Sequence, residues 1–401
     1  MIAAVSRKRG GPQTSASERV PENGRETSHS SAVRFLLVGI LAAGLLLPTS
    51  VKSQNNSQDA EPDGGEISIT FGGVVQPRLS SIYEFGREHD TRHSFGIGIQ
   101  RLWLHTVIGF GDRLEAFARI DGSTVGARFI DASLEYRITG NLSLRGGRFV
   151  GAQPRGAALT PGAAIDAVER PLVAELWARG TRGADGRSYG LEGRYAFSGT
   201  DLRLLVHTGS NAMNVRGGVD GATGIAAERT RVAMSGYAVH RPAALPGLEV
   251  GAHIGFNPSR NEYTTLEGVG RRFDELSGHL YWGAEPGSQP VRLKADAIAV
   301  RYEEIAVGAT AVAERLSGVS LLGALRPAPA SELFGRWESV SPVGAGKHET
   351  VLTAGGSYSP SARRGLAFAR ERLTLSYGIR LPNGDHEPTR HVVILQGQVS
   401  F

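Results

Sequence analysis

The chain has 401 residues, 40% hydrophobic and 21% charged with 54 glycines, enough for one large domain or two medium ones and too apolar to be disordered throughout. It contains no cysteine, which excludes disulfides, thiolate metal sites, a cysteine nucleophile and a lipid-modified cysteine. The formal charge of +5 suggests a basic protein, but its distribution excludes a general nucleic-acid footprint, as the first segment shows.

Arg7, Lys8, Arg9 and Arg34 precede an uncharged run of 13 residues, Phe35 to Leu47 (FLLVGILAAGLLL). A membrane-spanning helix needs about 20 apolar residues, so this run reads as the apolar region of a secretory leader, with cleavage expected after Val51-Lys52-Ser53. The 34 residues before it are long for such a leader, which places the expected true start further downstream. Removing residues 1–53 takes away 7 of the 44 basic and 3 of the 39 acidic side chains, so the exported part is nearly neutral. No nucleic-acid partner is expected.

After a polar stretch, 54–65, no helical period persists over several turns through residues 66–401. Short segments of period-two alternation follow instead, separated by Gly, Pro, Asn and Asp. In Arg128–Ile138, Ile130, Ala132, Leu134, Tyr136 and Ile138 are expected on one face, with Asp131, Ser133, Glu135 and Arg137 opposite. Ser188–Phe197 sets Tyr189, Leu191, Tyr195 and Phe197 against Glu192 and Arg194. In Val291–Val300, Val291, Leu293, Ala295, Ala297 and Ala299 oppose Arg292, Lys294 and Asp296. Arg372–Leu381 and the closing stretch HVVILQGQVSF repeat the pattern. About sixteen such segments are countable, centred near residues 74, 103, 118, 132, 146, 192, 206, 235, 252, 278, 295, 317, 336, 353, 375 and 395. An even count suits a closed antiparallel sheet.

The connections alternate in length. Compact turns are expected at Gly111-Asp112, Gly140-Asn141 and Ser198-Gly199-Thr200-Asp201, and long insertions at 151–187, 211–229 and 257–271 all fall on the other side. Short turns at one end and long loops at the other are the asymmetry of outer-membrane barrels. A soluble β-sandwich also alternates, but it needs bulky residues to fill a core, whereas a membrane-facing band accepts the Ala, Gly, Leu, Val and Tyr found here. The fold class expected is therefore all-β, a transmembrane antiparallel barrel of about sixteen strands in the outer membrane of a Gram-negative-type bacterium. Arginine on the membrane face costs roughly 2–4 kcal/mol at the bilayer midplane, so arginine-bearing faces are expected to point into the lumen. On the last segment Val393, Leu395, Gly397, Val399 and Phe401 then face lipid, and Gln396, Gln398 and Ser400 face inward. This last strand must pair with the first, because hydrocarbon tolerates no open sheet edge.

The run Leu142–Phe149 (LSLRGGRF), followed by Ile165–Val173 (IDAVERPLV), resembles the phosphate-selective porin O and P family. Gly73–Arg78 (GVVQPR) and the Arg101–Phe110 segment are similar to the same family, and the resemblance covers roughly residues 66–197. It implies a sixteen-stranded, trimeric, anion-favouring channel with a constriction lined by arginine and lysine. As in general porins, it also implies that the long loop after the fifth strand folds inward. A terminal aromatic such as Phe401 resembles the signal read by the barrel assembly machinery. Where many members continue with a Lys-Val-Pro-Phe-Gly type sequence, this chain has Val150-Gly151-Ala152-Gln153-Pro154. Beyond the leader only Lys294 and Lys347 remain, so a lysine ladder for phosphate cannot form and arginine must serve.

Arginine suits that task because its planar fork stays charged and holds carboxylate or phosphate oxygens bidentately. The pore-lining candidates are Arg119, Arg137, Arg145, Arg292, Arg336 and Arg372, with Arg155 and Arg170 from the loop. Arg148 joins them if Gly146-Gly147 forms a bulge that corrects its parity. The alternative for these arginines is bracing the wall, since Asp131, Glu135, Asp166, Glu169, Asp296 and Glu338 lie in phase to pair with them. Asp166 and Glu169 are expected to pin the loop. Trp103, Trp282 and Trp337 read as interface or lumen aromatics. The glycine-rich run Gly217–Gly224 lacks the Lys-Ser/Thr of a phosphate-cradling loop, and the eleven histidines show no paired helical spacing. No cofactor, metal or catalytic residue is therefore expected. The function read from the sequence is a passive channel for small hydrophilic solutes, anions such as phosphate favoured. The alternatives are a non-selective porin, an outer-membrane hydrolase, and a structural barrel plugged by its loop.

Overall fold

The computed structural model describes residues 67–85, 91–123, 126–181, 186–207, 232–258, 270–305, 312–341, 348–382 and 388–401. The leader 1–53, the polar segment 54–65, the run 217–224 and Lys347 lie outside the described residues. The first eight strands are β1 (Ile67–Phe85), β2 (Thr91–Phe110), β3 (Leu114–Asp121), β4 (Arg128–Arg137), β5 (Leu142–Phe149), β6 (Ser188–Phe197), β7 (Thr200–His207) and β8 (Ala233–His240). They are followed by β9 (Leu248–Asn257), β10 (Gly270–Trp282), β11 (Val291–Ile305), β12 (Val312–Ala328), β13 (Ser331–Ser341), β14 (Glu349–Tyr358), β15 (Glu371–Pro382) and β16 (Thr389–Ser400). Each pairs antiparallel with its neighbours, and β16 returns to β1 to close a barrel. Among the described residues no helix is long and apolar enough to cross a membrane.

All sixteen segment centres read from the sequence fall within these strands. Closure satisfies every strand edge, the condition a bilayer imposes. At the seam, the backbones of Gly73 and Phe401 exchange hydrogen bonds of 2.9 and 3.1 Å. The Phe401 ring lies across Gly73, where a Cβ would stand 2.8 Å from its Cζ, so the missing side chain makes room for the terminal aromatic. The alternation sorts as expected along most of the sheet. Leu293, Leu321, Leu333, Leu375 and Val399 are exposed on the outer face, whereas Arg292, Lys294, Arg336, Arg372, Gln396 and Gln398 are buried within.

Two bulges change the phase. At the Gln76/Pro77 step the β1–β2 register shifts, and Gln100 becomes the extra residue. Pro77 has no N–H to offer the ladder, which favours a bulge there. As a result Phe95, Ile97 and Ile99 face outward and Arg101 and Trp103, of the same parity, face inward. On β4 the register against β3 shifts between Arg119 and Ile120, so Ile130 turns inward and is buried instead of joining the membrane face with Leu134 and Tyr136. The β6–β7 turn is also tighter than its sequence implied. Ser198 and Gly199 alone form it, both with positive φ (43° and 78°), as a two-residue hairpin of the primed type, and Thr200 already begins β7. On the turn side one connection, 359–370, is not compact: it carries a short helix, Pro360–Arg363, capped by the Ser359 hydroxyl at 3.1 Å.

Introducing a β-branched side chain at Gly73 should loosen the closing seam. Gly73→Val is expected to lower folding stability by about 1–3 kcal/mol, the usual cost of overpacking, read as a lower urea midpoint for the vesicle-inserted barrel. An unchanged midpoint would refute the role given to this glycine.

Candidate functional site

The connection from β5 to β6 enters the lumen and touches wall strands on almost every side. Its two ends are tied together, Gln153 Nε2 donating to the Gly186 carbonyl at 3.2 Å. Glu192 of β6 accepts from the Ala152 N–H at 2.6 Å. Arg155 then reaches Glu249 of β9 at 2.6 Å. Gly162 lies against the Trp103 ring of β2, and Gln76 of β1 and Gln398 of β16 each donate to a loop carbonyl, of Gly162 and Ala163, at 3.2 Å. Arg372 of β15 donates to the Ile165 carbonyl at 2.7 Å. Asp166 crosses to β11, where Arg292 and Lys294 each approach it at 2.6 Å. Glu169 pairs with Arg78 of β1, and its carbonyl accepts from Arg336 of β13 at 2.8 Å.

Between these two acids the chain makes a three-residue turn, with Glu169 N–H donating to the Ala167 carbonyl at 2.7 Å. Val168 sits at its centre with φ 67°, a strained region for a β-branched residue, and its side chain is fully buried. The anchors on either side hold the strain in place.

The loop then forms α1 (Leu172–Thr181). Its first N–H, which has no partner within a helix, is taken by the Glu338 carboxylate of β13 at 2.5 Å. Val173, Ala174 and Trp177 pack on Phe273, Ile298, Val300, Leu316 and Val340, an apolar patch on the lumen side of β10–β13. The Trp177 indole N–H donates to Glu275 at 2.5 Å. This part of the lumen is therefore a dry core and departs from the polar lining expected along the whole inner face. Glycines on β9 make it possible: a Cβ at Gly255 would overlap Glu275, and one at Gly251 would overlap His279.

The sequence-derived arginines separate by partner. Arg292, fully buried, is bound to Asp166 and Glu332, each at 2.6 Å, and Arg336 to Glu338 at 2.7 Å. Arg155 is held by Glu249; burial works against its charge, but the carboxylate outweighs that and raises its pKa. Arg137, exposed at the turn-side rim, donates to the Asp112 carbonyl at 2.7 Å. Arg372 donates to the Ile165 carbonyl and to Gln398, and Arg170 to the Ala157 carbonyl. Burial first, and then the charge of Arg101, pulls the Arg170 guanidinium down to about 9, still cationic at neutral pH.

Arg148 is not brought into the lumen. The ladder passes Gly146 and Gly147 without a register shift, so Arg148 stays opposite Tyr189 on the outer face. Its guanidinium lies 6.0 Å from the Tyr189 ring and bonds the Ile130 carbonyl, which the β4 bulge exposes.

A staircase of cations remains on the wall of β2, β3 and β5. Register places Arg101, then Arg119, then Arg145 progressively nearer the turn side. Arg119 stands 3.3 Å from Asp131, which Arg187 already grips at 2.8 and 3.0 Å. Arg145 donates to the neutral Ser133 hydroxyl at 3.0 and 3.1 Å, and Arg101 to Gln76 at 2.7 Å. Among the described residues neither Arg101 nor Arg145 has a carboxylate within 4.0 Å. Arg187 escapes a simple parity reading because it lies in the returning limb of the loop, whereas the face that Arg101 shares with Trp103 and His105 already reads as pore lining in the sequence, and the bulge sets it apart from Phe95, Ile97 and Ile99. Asp296, expected to pair with arginine, accepts instead from the Tyr281 hydroxyl at 2.8 Å. Trp337 is exposed on the outer wall, whereas Trp103 lies within the lumen among Arg101, Arg119 and Arg187.

Neither a family model nor a curated protein matches the sequence. Solved structures do match the fold. An anion-selective porin from Comamonas acidovorans superposes with a TM-score of 0.60 at 13% identity, over 84% of this chain and 100% of that one. A loop-deletion form of OmpT, an outer membrane protein of Vibrio cholerae, gives 0.57 at 11% identity over 84% and 99%. The outer membrane channel DcaP of Acinetobacter baumannii gives 0.55 at 14% identity over 84% and 98%. The fold is thus that of the outer-membrane porins, and the membrane-facing band places the chain in the outer membrane.

Burial alone would raise the Asp166 carboxyl, but Lys294 and Arg292 outweigh it and hold its pKa at about 2. A depressed carboxyl contributes stability that is full above its unfolded value of about 4 and is lost as pH falls toward 2. Amide protection factors over 155–172, exchange rates referred to the intrinsic rate of an unstructured amide at each pH, should therefore be steady from neutrality to about pH 4 and fall below about pH 3. Asp166→Asn should abolish that transition and, by leaving Lys294 buried without its acid, cost about 3 kcal/mol. Protection factors that ignore pH in the native protein would contradict the assignment.

Proposed function

We propose that this chain is a passive outer-membrane channel for small hydrophilic solutes that favours anions, phosphate and carboxylates among them. The observation that carries the reading is the staircase of Arg101, Arg119 and Arg145 on one lumen wall, whose guanidiniums are bound by Gln76, by an Asp131 shared with Arg187, and by Ser133, so that none is locked to a carboxylate of its own. Such charge lowers the entry barrier for anions while weak, successive sites allow release. Asp166 and Glu169 pin the loop, and Arg155, Arg292 and Arg336 brace it rather than meet solute. Residues 1–53 act as the export leader, and Phe401 as the signal to the barrel assembly machinery. Assembly as a homotrimer belongs to the same reading, OmpT of Vibrio cholerae, which shares the fold, having been solved in a trimer form.

A second reading, a barrel plugged by its loop, draws on the contacts the loop makes around the lumen. Conductance separates the two. Deleting residues 155–163 should widen an existing pore if the chain is a working channel, and should raise conductance from nearly nothing if the loop is a plug.

In a planar bilayer under a potassium chloride gradient, the reversal potential should report anion preference. A lumen charge felt through several ångströms of water is worth about 0.5–1 kcal/mol, so Arg119→Gln and Arg145→Gln should each lower the anion-to-cation ratio about two- to fivefold. Cation preference in the native protein would overturn the anion reading, and ester hydrolysis without conductance would favour an enzyme.

A further inference from the structure

The cations of the staircase do not stand free in water; they lie on aromatic rings. The Arg119 guanidinium is 4.9 Å from the Phe117 ring centre and 5.3 Å from that of Trp103. Arg145 is 4.6 Å from Phe149 and 5.8 Å from Phe117. Arg101 and Arg187 are each 5.5 Å from Trp103. Phe117 and Arg119 share the inner face of β3, and both are partly accessible to the lumen. Phe149 is buried beneath Arg145 and packs with Ala152 at the root of the loop.

This arrangement bears on which anions the wall can hold. A guanidinium is weakly hydrated, and covering its face with a ring strips it further, leaving edge N–H groups as donors in one plane. Among the described residues the one compact, strongly hydrated ammonium, that of Lys294, is bound to Asp166. A strongly hydrated phosphate dianion must surrender water for few donors here. A planar monoanion surrenders less, offers two in-plane oxygens to the fork, and can lay an apolar face on Phe117.

Resting on the channel reading above, we infer that the Arg119–Arg145–Phe117–Phe149 wall selects planar, weakly hydrated carboxylates, aromatic ones foremost, over inorganic phosphate. Phe117 and Phe149 are then specificity-determining residues that act alongside the arginine charge.

The test is bi-ionic reversal potentials in planar bilayers of the purified full barrel, with potassium benzoate or potassium phosphate opposite potassium chloride at neutral pH. The native channel should pass benzoate more readily than phosphate. Phe117→Leu keeps an apolar side chain but removes the ring, and should reduce the benzoate-to-phosphate ratio about threefold, the fold equivalent of one aromatic contact. Its chloride-over-potassium preference should fall by less than that ratio does, whereas Arg145→Gln should diminish both to a similar extent. Equal or greater phosphate permeability in a channel that still prefers anions would overturn this inference and leave the channel reading intact. Cation preference or absent conductance would remove both. Should the Phe117 variant fail to insert, the native comparison of benzoate with phosphate decides alone.

Discussion

Hydrocarbon offers no hydrogen bonds, and the rest of this structure follows from that. Every strand must find two partners, so β16 returns to β1 and the sheet closes. Closure divides each strand into an outer row that meets acyl chains and an inner row enclosed by the wall. An arginine on the outer row is expensive and one on the inner row is not, so the alternation of the sequence becomes a division between membrane and lumen.

The inner row then raises a second electrostatic problem, which the loop solves. Placing cations and carboxylates in a confined space requires that they be paired. Asp166 bridges Arg292 and Lys294, Glu249 takes Arg155, and Glu338 takes both Arg336 and the first N–H of α1. Each pair joins loop to wall or steadies a residue that does. On β10–β13 the wall becomes apolar and α1 covers it, so hydrophobic burial and charge pairing hold the same segment. On the β2–β5 wall Asp131 and Glu135 share the inner row with Arg119 and Arg145, but among the described residues Asp131 alone comes within ion-pair distance of them, so these cations are less tightly held.

Much of this was legible in period two. The alternation of Val291–Val300 and Arg372–Leu381 assigned inner and outer faces correctly because a strand without bulges has no other freedom. It failed where an extra residue entered the ladder. Ile130 was placed outward and lies inward, whereas Arg148 needed a bulge at Gly146-Gly147 that does not form; the shift lies on β4 instead. Glu249 lies on the inner row of β9, but nothing local tells that Arg155, far away in sequence, would meet it.

The sequence by itself determined the closed all-β architecture, the faces of its regular strands and the position of the long insertion, because these depend on spacing between near neighbours. Only the tertiary structure decided which arginines are spent on carboxylates and which are left on aromatic rings. That choice depends on contacts between residues as far as 207 positions apart, brought within 3 Å by barrel closure and by the path of one loop, as in Arg372 on the Ile165 carbonyl at 2.7 Å.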